Sequence, residues 1–139
     1  MFGDFSWKPD QAQAMRWTLW KEALLDHCEK RKTRTDELQQ STYATNSSST
    51  DKQHITTTIS PLRVCIMEIG CGMTVPTCRS NAERLVCELQ QRGGDVTMVR
   101  VNPDYPLASI ELSDSVIPIM SRGLEAIKKI DQFYRSLDG

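Results

Sequence analysis

Arg63-Val64-Cys65-Ile66-Met67-Glu68-Ile69, stopped by Gly70-Cys71-Gly72, is the stretch on which the fold turns. A short, nearly continuous apolar run ended by glycines reads as a strand buried on both faces of a parallel sheet. The residues downstream keep to that pattern. Ser80-x-x-Glu83 has the form of a capping box opening a helix, Leu85 and Leu89 fall on its inward face, and Gly93-Gly94 ends it. Asp95 to Val101 (DVTMVRV) is a second buried strand, closed by Asn102-Pro103. Val116 to Met120 (VIPIM) reads as a third, short or at an edge, because Pro118 has no N–H to give a ladder. From Gly123 to about Leu137 the side chains of Leu124, Ile127, Ile130, Phe133, Tyr134 and Leu137 recur at helical spacing and predict one apolar face turned inward.

Strand, helix, strand, loop, short strand and helix predict an α/β fold: a partial Rossmann-like parallel sheet with flanking helices, over residues 62–139. Upstream, Pro9 to about Gln40 reads as a helix, with Ala14, Trp17, Leu24, Leu25 and Cys28 at three- and four-residue offsets. Pro9 suits its first turn. Trp17 and Trp20, three apart, are placed to form an aromatic ridge, and from Glu29 onward the helix turns polar. Residues 1–40 therefore form an N-terminal segment and helix. Between the two parts, residues 41–60 contain eleven Ser or Thr in twenty positions, with almost no large apolar side chain. Such a stretch cannot bury enough surface to offset its ordering entropy, which predicts a disordered insertion over 41–61.

The chain has 139 residues, enough for one domain, and 17 Lys+Arg against 18 Asp+Glu leave a net charge of -1. With no basic excess to neutralise phosphates, a nucleic-acid partner is not expected. No apolar run approaches the ~20 residues that cross a bilayer, and the start lacks the basic and apolar regions of a signal peptide, so a soluble intracellular protein without a membrane partner is expected. Five cysteines, Cys28, Cys65, Cys71, Cys78 and Cys87, are odd in number and irregularly spaced. They read as free thiols, and no pair has the short spacing of a metal site.

In an open parallel sheet ligands bind outside the carboxyl ends of the strands. Gly70-Cys71-Gly72 follows the first strand there, and two glycines bracketing one residue let the backbone turn and approach a ligand without Cβ interference. Asn102 ends the neighbouring strand, where its amide can both donate to and accept from a ribose hydroxyl, or cap the strand end through its own backbone. Together they form a candidate nucleotide site.

Two families resemble this arrangement. Glu68-Ile69-Gly70-Cys71-Gly72 looks like the E-x-G-x-G motif with which class I methyltransferases hold S-adenosylmethionine, although Thr74 stands where a third glycine usually follows and Asn102 where an acidic residue grips the ribose. The chain has only 67 residues after Gly72, too few for the rest of such a sheet. The fuller resemblance is to the sirtuins, the NAD-dependent protein deacylases, bacterial-type members above all. Met1-Phe2-Gly3-Asp4-Phe5-Ser6-Trp7 resembles their F-G-E segment, Ile69-Gly70-Cys71-Gly72-Met73-Thr74-Val75-Pro76 their G-T-S-L-x-V-x-P motif, and Val101-Asn102-Pro103 their I-N strand end. Ser121-Arg122-Gly123-Leu124-Glu125-Ala126-Ile127 resembles their closing glycine and helix.

That resemblance implies NAD as cofactor, held by Gly70, Cys71, Gly72, Met73, Asn102, Pro103, Gly123 and Leu124, and an acyl-lysine protein as the substrate of the completed enzyme. Cys71 and Gly72 replace the threonine and serine of the family motif, and Pro76 falls one place early. The family's glycine-rich loop, catalytic histidine and zinc cysteines lie upstream of F-G-E, where this chain begins. It is therefore expected to hold about half of the NAD site and to lack catalysis on its own, with His27 and His54 as solvated surface histidines. A non-catalytic interaction module contacting partners through Trp7, Trp17 and Trp20 is the remaining alternative.

Overall fold

The computed structural model describes residues 8, 10–45, 59–74 and 76–137. Helix α1 (Gln11–Thr45) is followed by β1 (Arg63–Ile69), α2 (Thr77–Gln91), β2 (Asp95–Val101), a 3-10 helix (Ile110–Ser115), β3 (Val116–Ile119) and α3 (Gly123–Leu137). The three strands form one all-parallel sheet in the order β1-β2-β3. Pro118 is thereby on an edge strand, where a missing N–H costs no ladder bond.

Register decides which side chains meet. Val64 pairs with Val96, Ile66 with Met98 and Glu68 with Arg100, so these residues line one face of the sheet. Against that face pack Leu85, Val86 and Leu89 of α2 and Leu25 and Cys28 of α1, and Leu112 and Val116 close the same core. The two helices are also tied to each other: the Lys21 Nζ donates to Glu88 Oε2 at 2.9 Å, and Arg92 pairs with Glu29. Between them Gly93, at φ +83°, brings the chain so near α1 that a Cβ there would meet Lys32 Cδ at 2.7 Å. Arg31 and Thr35 of α1 hydrogen-bond the carbonyls of Ser60 and Ile59, holding the approach to β1 against the helix.

Several sequence expectations need correction. α1 starts at Gln11, with Asp10 Oδ1 accepting the Gln13 N–H at 3.0 Å as a side-chain cap, and it runs on to Thr45, into the stretch expected to be an insertion. Pro9 and residues 46–58 of that insertion lie outside the described residues. α2 opens at Thr77, three residues before the expected capping box, after Pro76 and without a side-chain cap. Proline fits a helix start because the first N–H groups lack intrahelical partners, and Glu83 is drawn away from capping by Arg100. The 3-10 helix was not signalled by periodicity.

The larger correction concerns burial. β1 is not enclosed on both faces: Cys65, Met67 and Ile69 are exposed, as is Ile117 across the sheet. Both α1 and α2 lie on the opposite face, so among the described residues this one is largely uncovered, save at its carboxyl end, where Val101 is buried and Gly123 comes close to Ile69. α3 does not turn its apolar face into the core either. Ala126 is its buried residue, whereas Leu124, Phe133, Tyr134 and Leu137 are each about two-thirds exposed, at 65–69%. Trp17 and Trp20 do form a ridge, stacked at 5.1 Å between ring centroids, but on the exposed side of α1. Among the described residues no helix is long and apolar enough to cross a membrane.

Candidate functional site

The carboxyl ends of β1 and β2 lie side by side because their ladder runs on past the strands: the Gly70 N–H donates to the Val101 carbonyl at 2.9 Å, and the Asn102 N–H to the Ile119 carbonyl at 3.1 Å. Gly70 then turns the chain at φ +72°, a left-handed conformation that side chains disfavour. Gly72 has an ordinary φ, and a Cβ built on either glycine meets nothing within 4 Å. Here the backbone faces open space. Gly70→Ala is expected to cost roughly 1–2 kcal/mol through the left-handed strain alone, with no clash, and a thermal melt measures it. A melt equal to the parent's would show that the turn relaxes.

Asn102 is 5% exposed and its amide is committed. Its Nδ2 donates to the Cys71 carbonyl at 2.9 Å, and its Oδ1 accepts the N–H groups of Asp104 and Tyr105, each at 2.9 Å. One side chain thus fastens the Gly70–Gly72 loop to the loop leaving β2. Of the two roles the sequence left open for Asn102, this geometry displays the capping one. Pro103 is exposed beside it and Met73 is exposed across the loop. Gly123, which opens α3, also comes to this end: a Cβ there would lie 2.7 Å from Ile69 Cγ2, one residue before Gly70. Leu124 projects outward at 69% exposure. The structure therefore gathers Gly70, Cys71, Gly72, Asn102 and Gly123 at the carboxyl edge of the sheet.

Beneath the loop lies a charged cluster that the sequence reading missed. Arg100 has no exposed surface, yet it carries a full guanidinium. Its Nε and Nη2 donate to the two carboxylate oxygens of Glu68 at 2.7 and 3.0 Å, and its Nη1 donates to Glu83 Oε1 at 2.9 Å and to the Leu107 carbonyl. Burial alone would depress the Arg100 pKa, but the hydrogen bonds it donates to Glu68 and Glu83 outweigh it and hold the value above the ordinary one. Arg79 completes the group, donating to the carbonyls of Tyr105 and Leu107 and approaching Glu83 at 3.6 Å. Two arginines and two carboxylates balance in charge, and both arginines grip the segment after Asn102. The signal was present in the sequence: Glu68 and Arg100 each sit one residue before the end of an apolar strand, and a charge in such a run calls for a partner.

No protein-family model, curated protein or solved structure matches this chain.

The remaining chemistry is modest. Both oxygens of Glu68 are taken by Arg100, so the acidic residue of the E-x-G-x-G pattern supports the fold here. His27 is exposed on α1, and His54 lies outside the described residues. Among the described residues no three His, Cys, Asp or Glu side chains are grouped as metal ligands. Burial, then the Glu68 carboxylate, push the Cys71 pKa up.

Proposed function

We propose that this chain is the NAD-binding portion of a sirtuin-like, NAD-dependent protein deacylase, with a Rossmann-like sheet whose carboxyl edge receives the dinucleotide. One observation carries the reading: Gly70 and Gly72 open bare backbone onto free space at the end of a parallel strand, beside the end of its neighbour. That is the place and the surface a nucleotide needs. NAD fits the donor set, since the loop offers backbone groups and no side chain between Gly70 and Gly72 except the Cys71 thiol. Bound there, NAD would supply the ribose carbon that an acyl oxygen attacks as nicotinamide departs.

What this chain contributes is binding and orientation. The glycines admit the ligand to the backbone, Asn102 fixes the separation of the two strand-end loops, and the Arg100 and Arg79 bonds hold the second loop in place. Met73, Pro103 and Leu124 present exposed surface around that edge. A histidine base and the acyl-lysine protein would be brought by a further segment or subunit, because the one described histidine, His27, is a solvated residue of α1.

Calorimetric titration of NAD, with S-adenosylmethionine in a parallel run, tests the reading. NAD is expected to bind and S-adenosylmethionine not to. Gly72→Val places a branched side chain in the ligand space from a Cβ position with no protein atom within 4 Å, so it should weaken NAD at least tenfold, about 1.4 kcal/mol, with unchanged melting. Unchanged affinity and unchanged melting together would reduce Gly72 to a turn residue, and preference for S-adenosylmethionine would replace the proposal by the methyltransferase reading.

A further inference from the structure

α3 carries an apolar stripe that the described residues leave uncovered. Leu124, Ile127, Ile130, Phe133, Tyr134 and Leu137 recur at helical spacing, with exposures from 42% at Ile130 to 69% at Leu124. Single exposed side chains of this kind are ordinary, whereas a continuous stripe is not. A large side chain offers on the order of 200 Å², so the six leave roughly 700 Å² open, beyond the few hundred that monomers commonly show and close to the ~800 Å² that each partner brings to a stable interface. The helix is anchored at its start. A Cβ at Gly123 would lie 2.7 Å from Ile69 Cγ2, and Ala126, in the first turn, is buried.

We propose that this stripe is the interface of a symmetric homodimer, in which α3 packs antiparallel on α3 of a second copy. The spacing selects that occupant. Ile130 is the middle residue of Gly123–Leu137, and the apolar side chains stand almost symmetrically on either side of it. A two-fold axis at Ile130 sets Ile130 against itself, Ile127 against Phe133 and Tyr134 of the second copy, and Leu124 against Leu137 of the second copy. Aliphatic and aromatic side chains then alternate along the seam, and no charge falls within it to be desolvated.

The charges beside the stripe agree with this pairing. Glu125 pairs with Lys129 and Asp131 with Arg135 along the helix, which leaves Lys128 as the α3 charge with no partner among the described residues. In the antiparallel arrangement Lys128 comes nearly level with Asp131 of the second copy, so the flank offers it an opposite charge. The net charge of -1 raises no long-range repulsion between copies. The dimer does not depend on what the Gly70–Gly72 loop binds.

The test is sedimentation velocity of the full chain up to about 100 μM, above the micromolar range in which interfaces of this size assemble. A species of twice 15.8 kDa is expected. Ile130→Glu sets two carboxylates against each other at the axis and should weaken the dimer roughly a hundredfold. Ile130→Lys should do the same with two ammonium groups. Because Ile130 is exposed, both proteins should keep the circular dichroism and melting of the parent's monomer. An equimolar mixture of the two should recover the dimer, since opposite charges then meet at the axis. Met67→Lys, on the open face of the sheet, should leave the dimer intact. A monomer throughout the range would overturn the proposal and leave the stripe to its own sheet or to a different protein. A dimer indifferent to Ile130→Glu, no recovery in the mixture, or dissociation by Met67→Lys would overturn it as well.

Discussion

Truncating Glu68 to alanine is expected to cost about 3–5 kcal/mol of folding stability, because it leaves a guanidinium with no exposed surface without its bidentate partner. Against the roughly 5–15 kcal/mol that separates folded from unfolded domains, that loss brings the chain near unfolding, with a fall in melting temperature on the order of 10 °C. Glu83 and the Leu107 carbonyl would still hold one arm of Arg100, which keeps the cost below that of a wholly unpaired buried charge. Glu83→Ala should cost less. Its side chain is 26% exposed against 3% for Glu68, so water can take its place. Removing both charges at once, in Glu68→Leu with Arg100→Met, should recover much of the loss, because an apolar pair needs no desolvation. Urea unfolding of the four proteins checks the ranking. A Glu68→Ala midpoint equal to the parent's would mean that water enters the cluster and that Arg100 is not dry.

Asn102→Ala is the next largest expected effect. It removes three hydrogen bonds and leaves the Cys71 carbonyl without its partner, at a cost of about 1–3 kcal/mol for the buried part of that set. Asn102→Asp makes a sharper comparison. The carboxylate retains the two accepting contacts to Asp104 and Tyr105 but presents an oxygen to the Cys71 carbonyl, where the amide donated. Aspartate should therefore open the gap between the two loops, and the amides of Gly70–Met73 should exchange faster than in the parent. Equal stability and equal exchange in Asn102→Ala and the parent would show that the clamp is incidental.

The bounds of β1, β2 and α3 were legible because glycines or proline bracket each run and the apolar spacing inside it is uninterrupted: Gly70 after Ile69, Asn102-Pro103 after Val101, Gly123 before Leu124. Periodicity marks which positions can be buried; it does not supply the layer that buries them. For that reason the apolar face of α3 and the Met67 and Ile69 side of β1 were read as buried and are exposed. The opening of α2 was missed because the Ser80 and Glu83 pattern fits a capping box locally, while a partner on the following strand, Arg100, claims the glutamate. At the candidate site, the glycines announced themselves through their missing side chains. The work of Asn102 did not, since an amide at a strand end can serve a ligand or the chain, and the loop geometry that separates these is set by contacts with Asp104 and Tyr105.

The central claim is that a dinucleotide meets this protein at the joined ends of β1 and β2. Its most direct test is an NMR titration of the isotopically labelled chain with NAD, followed at each backbone amide, which also detects weak binding. The account predicts saturable shifts at Gly70, Cys71, Gly72 and Met73, with smaller ones at Asn102 and Gly123, and none along the exposed face of α1 at Trp17 and Trp20. Shifts confined to α1, or an unperturbed Gly70–Met73 loop at millimolar NAD, would contradict it.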